Sequence, residues 1–243
     1  MPHFSIITIC RNEEAGIRET CESIVSQTFE DFEWIIIDGG STDGTLDILS
    51  DYEEHISSLV SEPDEGLYDA MNKGIAKASG AYLIFMNGGD RFASEKALEW
   101  ASTAPDKDLL YGDVYHDSPD GPLITYPDKL PPGYLLSKMI PHQATFYRRE
   151  LFEQHGDYDT SFRIAADYDL YARLLELGKV SYHHIPKPLA VFSLGGISSS
   201  PGQRRLRKRE NHRVRMKYFP RYRWSLKALR ESLRNWRNRS ASK

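Results

Sequence analysis

The sequence predicts an α/β protein built on a mostly parallel, doubly wound sheet with helices on both faces. Two observations carry this. The first 90 residues alternate an apolar run with a helical stretch four times, at the spacing of successive βα units. The run Tyr82–Met86 has no polar break and is bounded by glycines, as suits a strand covered on both faces.

In chain order, Phe4–Cys10 reads as a buried strand that runs into Arg11-Asn12-Glu13-Glu14 and a helix over 15–26. Asn12 and Glu13 either cap that helix or line a ligand site. Phe32–Ile37 is a second strand, ending in Asp38-Gly39-Gly40-Ser41 before a helix over 45–54. A short strand over 56–61, a loop at 62–66 and a helix over 67–78 follow. The fourth strand ends in Asn87-Gly88-Gly89-Asp90, a turn that glycines permit easily. Ligands of open α/β sheets bind outside the carboxyl ends of the strands, which places Asp90 at a binding edge. A carboxylate there is a hard oxygen ligand for Mg²⁺ or Mn²⁺, or else a cap for a helix over 94–101.

Beyond Asp90 the alternation weakens. Strands are expected at 108–115, 141–147, 180–185 and 189–192, and helices at 149–154 and from Tyr168 to Leu177. The proline-rich stretch 117–132 reads as loop or hairpin, and 195–202 as a flexible joint. Residues 1–202 thus form one domain, divided near 115, followed by a tail over 203–243.

Composition is ordinary globular, 40% hydrophobic and 27% charged. Two cysteines, Cys10 and Cys21, give neither a disulfide framework nor a zinc site, so a reducing compartment is expected. No signal peptide or membrane-spanning run is visible. The net charge of −4 conceals an asymmetry: residues 203–243 hold 16 Lys plus Arg and 2 Glu, whereas the body carries 15 basic and 33 acidic residues. Within the tail, Leu226, Leu229, Leu233 and Trp236 recur at three- and four-residue spacing, an apolar stripe on a basic helix. Pro220 separates that helix from one over 204–218.

Four segments together resemble the large inverting glycosyltransferase family 2. They are Ser5–Thr8 with Arg11-Asn12-Glu13; Ile37–Thr45; Ser61–Gly74 continuing through Asp90; and His142-Gln143 with Ala166–Leu170. The likeness covers residues 4–195 and is nearest to bacterial members that build exopolysaccharide and O-antigen units, of the colanic acid type. It implies the GT-A fold, with a nucleotide-sugar half over 1–115 and an acceptor and catalytic half over 116–202.

The resemblance implies roles. Asp167 corresponds to the catalytic base, with Ala166 where the family usually has Glu; its other use would be an N-cap. Asp90 corresponds to the last acid of the metal-binding DxD motif, with Gly88 where the first acid would stand. Thr8, Arg11, Asn12, Glu13, Asp38, Gly40, Asp69, Lys73, Asn87, Gly88, Gly89 and His142 fall on the nucleotide-sugar side. Asp38 would hold the base or ribose, and His142 the diphosphate or acceptor. Asp69 and Lys73 also fit a plain i,i+4 surface pair. Asp169 is expected to point away. The implied donor is a UDP- or GDP-sugar, the cofactor Mg²⁺ or Mn²⁺, and the acceptor a saccharide or polyprenyl-diphosphate-linked hydroxyl. The tail would lie on the anionic inner face of the cytoplasmic membrane, or else its stripe would dock on the acidic body or form a dimer contact. Alternatives are a non-catalytic sugar-nucleotide binder, or a nucleic-acid-associated protein with a basic arm; the acidic body argues against nucleic acid.

Overall fold

The computed structural model of the chain describes residues 1–116, 120–131, 133–192, 201–225 and 229–232. All seven residues of strand β1 (Phe4–Cys10) are buried. Its two polar residues are satisfied in place, Ser5 donating to Glu33 Oε1 at 2.6 Å and Thr8 accepting the Trp34 indole N–H at 2.9 Å, so the strand needs no solvent face in a covered parallel sheet. Strand β2 (Phe32–Asp38) runs parallel on one side, pairing from Phe4 with Phe32 to Cys10 with Asp38. β3 (Ser58–Ser61) lies parallel beyond β2, and β4 (Tyr82–Phe85) parallel on the other flank of β1. The loops after β1, β2 and β4 therefore open on the same edge of the sheet.

Side-chain alternation divides these strands between two apolar clusters. Phe4, Ile6 and Cys10 pack with Trp34 and Ile36 against helices α1 (Ile17–Val25) and α2 (Thr45–Ser50). In α1 the buried Ile17, Cys21 and Ile24 are spaced four and three apart, one helical face. Ile7 and Ile9 pack with Ile35, Ile37 and Phe85 on the other side, against α3 (Leu67–Lys77). Fully burying each such side chain contributes about 1.5–3 kcal/mol.

After Asp90 come β5 (Arg91–Phe92), α4 (Ala97–Ser102), β6 (Leu109–His116), β7 (Leu123–Ile124), β8 (Thr145–Arg148), α5 (Glu150–His155) and α6 (Ala166–Ala172). The last strand is β9 (Tyr182–Phe192). Among the described residues the sheet order is β3-β2-β1-β4-β8-β6-β9-β5, with β7 on β6. β8 is antiparallel to both β4 and β6 and joins the parallel half to the rest.

Several expected boundaries move. The strands expected at 180–185 and 189–192 are one, Tyr182–Phe192. Pro186 and Pro188 offer no N–H, yet pairing with β6 continues through register shifts around Asp113 rather than ending. The strand expected over 141–147 begins as a 3₁₀ turn, His142–Ala144, and becomes β8 only at Thr145. α6 starts at Ala166 with Ala165 at its N-cap, so Asp167 stands in the first turn and is not the cap. The helix then continues as a π-helical turn, Arg173–Gly178.

The tail contributes α7 (Arg204–Tyr218) and α8 (Pro220–Arg223), the proline standing at the first helical position. Helix α7 packs on α6, and Val214, Tyr218, Phe219 and Tyr222 join the same apolar cluster as Ile7 and Phe85. Of the apolar stripe, Leu226, Leu233 and Trp236 lie outside the described residues, as does the joint at 195–200. Leu229 is 57% exposed and Trp224 90% exposed. Among the described residues, no helix is long and apolar enough to cross a membrane.

Candidate active site

A cleft of about 400 Å³ opens where the loops after β1 and β4 meet the start of α3 and the turn entering α6. Asp90 and Asp167, 77 positions apart in the chain, both line it. Arg11, Glu13, Tyr68, Asn87, Gly88, Gly89, His142, Gln143 and Arg163 complete most of the wall.

The Asp90 side is built on a tight turn. Gly89 has φ of +88°, a backbone state that L side chains rarely adopt. At Gly88 a Cβ would stand 2.7 Å from Cγ of Glu13 and 3.3 Å from Cβ of Cys10. Glu13 thus occupies the space that an acid at 88 would need. The Thr20 hydroxyl accepts the Gly89 N–H at 3.0 Å and donates to the Asp90 carbonyl at 2.7 Å. The Asp90 side chain, in a residue only 7% exposed, receives the Gln143 amide at 3.0 Å.

His142 Nε2 lies 3.2 Å from Asn87 Nδ2. Burial pushes the His142 ring down to about 4, so it is neutral and Nε2 can accept from the amide. Asn87 Oδ1 is then left buried without a hydrogen-bond partner, an uncommon state that marks a place for a donor or cation. Among the described residues, no group of three His, Cys, Asp or Glu could hold a metal by itself. The Asp90 carboxylate and the Asn87 amide oxygen fit a divalent cation as partial ligands, with diphosphate and water completing the shell.

Asp167, also lining the cleft, accepts the Tyr168 N–H at 2.8 Å and lies 3.3 Å from the Tyr68 hydroxyl. Burial pushes its carboxyl up to about 6; the Tyr168 amide and Tyr68 hydrogen bonds oppose this, and the nearby Glu210 charge adds to it. A carboxylate titrating there is poised to accept a proton near neutral pH. Asp169 does point away. It is fully buried and takes Lys217 Nζ at 3.0 Å and the Tyr218 hydroxyl at 3.2 Å.

The family profile described as Glycosyl transferase family 2 matches residues 5–163. This chain belongs to glycosyl transferase family 2. It is 33% identical over 210 residues to a PGL/p-HBAD biosynthesis glycosyltransferase of Mycobacterium bovis (strain BCG / Pasteur 1173P2), spanning 82% of this chain and 80% of the relative. It is 37% identical over 98 residues to the putative teichuronic acid biosynthesis glycosyltransferase TuaG of Bacillus subtilis (strain 168), 39% of each chain. Among solved structures, S. aureus TarS 1-349 in complex with UDP-GlcNAc superposes with a TM-score of 0.70 at 18% identity, over 89% of this chain and 67% of that one. The mannosyltransferase PcManGT of Pyrobaculum calidifontis, in complex with GDP-Man and Mn²⁺, gives 0.66 at 20% identity, over 89% and 64%. This chain therefore spans about two thirds of the length of these solved chains. At such identities the likeness shows the fold alone, and that fold is the expected GT-A arrangement.

Six of the residues expected on the nucleotide-sugar side of this family 2 chain do not line the cleft. Thr8 falls on the α1 side of the pleat, where it accepts the Trp34 indole N–H at 2.9 Å. Asp38 is fully buried and its oxygens are already engaged. It takes the Gly40 and Ser41 N–H groups at 3.1 and 2.9 Å, the Ser61 hydroxyl at 2.7 Å, and the Ser41 hydroxyl. Burial pushes its carboxyl up, but these hydrogen bonds together outweigh that and hold it below the usual range. Asn12, at φ of +52°, accepts the Thr42 N–H at 2.8 Å and ties the loop after β1 to the loop after β2, which also holds Gly40. Asp69 and Lys73 are 3.4 Å apart at i,i+4, with Lys73 closer to Glu62 at 2.8 Å. Asp69 lines a smaller cavity of about 140 Å³ that shares Tyr68 with the main cleft.

Among the residues at the site that were assigned no role from sequence are Thr20, Tyr68, Gln143 and Arg163. Tyr68 and Gln143 stand inside the segments that carry the family resemblance, which was the available signal. Thr20 and Arg163 carry no local signature, because their contacts come from residues roughly 70 and 50 positions away.

Proposed function

We propose that this protein transfers a sugar from a UDP- or GDP-linked donor to a hydroxyl of a saccharide or polyprenyl-linked acceptor, inverting the anomeric carbon. The observation that carries the reading is Asp90 and Asp167 facing one cleft, with the Asp167 carboxyl raised to about 6. The donor class is supported by TarS bound to UDP-GlcNAc and PcManGT bound to GDP-Man and Mn²⁺. A role in glycan assembly is supported by the names of the M. bovis and B. subtilis relatives.

In this scheme the diphosphate rests against the Asn87–Asp90 turn, in a cleft that Arg11 also lines. The acceptor oxygen forms its bond to the anomeric carbon on the face opposite the diphosphate. Its proton passes to Asp167, and the electron pair of the broken bond leaves on the nucleoside diphosphate. Mg²⁺ or Mn²⁺, bound by Asp90 and the diphosphate, would supply neutralisation of the leaving group.

A panel of UDP-, GDP- and dTDP-sugars, scored by release of nucleoside diphosphate, tests the reading. Wild type should turn over at least one donor, lose activity in chelator and regain it with Mg²⁺ or Mn²⁺. Asp167→Asn should lose about 10²–10⁴-fold. Binding of nucleotide without any turnover would instead mark a sugar-nucleotide-binding protein. For the tail, the exposed Trp224 and Leu229 on a basic segment support an anionic membrane surface as the place where acceptor is met. Sedimentation with anionic vesicles at low salt tests that part; no co-sedimentation rejects it.

A further inference from the structure

We propose that Glu210, in helix α7 of the tail, is a positioning residue for Asp167; the inference rests on Asp167 being the general base. Three successive backbone N–H groups converge on this one carboxylate. Glu210 Oε2 accepts from Arg163, Ile164 and Ala165 at 3.2, 2.9 and 3.1 Å, and Oε1 accepts from Arg163 at 3.0 Å. These residues lead directly into α6. α6 begins at Ala166 and its N-cap residue Ala165 has no capping side chain, so the Ala165 N–H and the two amides before it take their acceptor from α7.

Glu210 is 5% exposed. A carboxylate that deep persists only where charge-assisted hydrogen bonds compensate for its lost water. The path to Asp167 is short. Ile164 gives its N–H to Glu210 and accepts the Tyr68 hydroxyl on its carbonyl at 2.8 Å, and that hydroxyl lies beside Asp167. Past Asp167, the same helix α7 grips Asp169 through Lys217 and Tyr218. Both flanks of the base are thus fixed by the tail. Charge pattern sets Glu210 apart as well: from Arg204 to Tyr218 it is the single acid among eight Lys and Arg. Its negative charge also acts on Asp167, adding to the burial that raises that carboxyl.

The test uses the full chain carrying Glu210→Gln, Glu210→Ala, Asp167→Asn or, as a control on an exposed α7 position, Arg209→Ala. Calorimetry with UDP and GDP in the presence of Mn²⁺ reports the N-terminal half, and kcat, donor KM and pH profiles report the base. Nucleotide affinity and donor KM should stay within about 2-fold of wild type in both Glu210 variants. Their kcat should fall about tenfold or more, Ala further than Gln, as misplacement of a reacting group predicts. The acid limb of kcat/KM should move to lower pH in both, because a negative charge near the base is gone. Arg209→Ala should match wild type. Wild-type kcat and an unmoved acid limb in the Glu210 variants, with Asp167→Asn inactive, would overturn the positioning role and leave the base in place. Nucleotide binding lost in parallel with kcat would overturn it too, as a general folding defect. Full activity of Asp167→Asn would remove the base itself, and the inference with it.

Discussion

The Tyr68 hydroxyl stands 3.3 Å from Oδ1 of Asp167 and 2.8 Å from the Ile164 carbonyl. A phenol has one proton to donate. While Asp167 is ionised, the two acceptors compete for it. Once Asp167 is protonated, it can donate to the Tyr68 oxygen while Tyr68 donates fully to Ile164. The pair can therefore accommodate proton uptake without moving. In Tyr68→Phe the hydrogen bond that holds the Asp167 carboxyl down is lost, so the acid limb of kcat/KM should move to higher pH. The Ile164 carbonyl also loses its donor, at a cost of about 1–3 kcal/mol. Rate profiles and thermal melts of the variant measure the two effects; an unshifted limb would contradict the first.

Asp167 also sets up an exchange between stability and activity. Its carboxyl titrates near 6 in the folded chain against 3.8 as the ordinary value. Below about pH 4 both folded and unfolded chains hold this proton, and the residue costs nothing extra. Between about pH 4 and 6 the unfolded chain ionises this carboxyl while the folded chain still holds its proton, so stability falls across that window and the loss, on the order of 2–3 kcal/mol, is complete above 6. Asp167→Asn escapes this. It should melt above wild type at pH 8, with the gap closing toward pH 4, although its turnover is lost. Equal melting at pH 8 would count against the raised carboxyl.

Restoring the missing acid of the metal motif should fail. In Gly88→Asp the new Cβ would lie 2.7 Å from Cγ of Glu13. Lower melting and no gain in Mn²⁺-dependent nucleotide affinity are expected, whereas Asp90→Asn should abolish the Mn²⁺ dependence. A Gly88→Asp chain that bound Mn²⁺ tighter would show that Glu13 yields easily.

At Asp38 the saturated carboxylate predicts a folding phenotype. Removing a buried acceptor of several hydrogen bonds, charge-assisted ones being worth about 1.5–3 kcal/mol each, should lower the melting temperature of Asp38→Ala clearly. Unchanged melting with a raised donor KM would instead point to direct contact with the nucleotide.

β1, β2 and β4 were legible because each is rich in large apolar residues and bounded by turn residues, and the short, half-exposed β3 was legible from its place in the βα alternation. The strand ends at Asn87–Asp90 were legible for the same reason, and Asp90 does line the cleft. Thr8 shows where such reading stops. Its strand was plain, but only the pleat decides that it faces Trp34 rather than a ligand. Asp38 shows another limit: nothing local tells whether a carboxylate at a strand end is spent on its own loop. β9 was misdivided because Pro186 and Pro188 look like strand breakers, and the register shift that accommodates them depends on its partner β6. Glu210 was only counted among the tail's charges, because its target 45 to 47 positions earlier is a matter of tertiary packing.

One apolar cluster runs without interruption from Ile7 in the first strand to Tyr222 in α8. The tail is accordingly not a detachable handle, for all its difference in charge. A chain cut at residue 202 would bare the faces that Val214, Tyr218 and Phe219 now cover, and insoluble product is the expected yield. Heating the full chain should give a single cooperative melt, and any shortened version meant for crystals has to run past Tyr222.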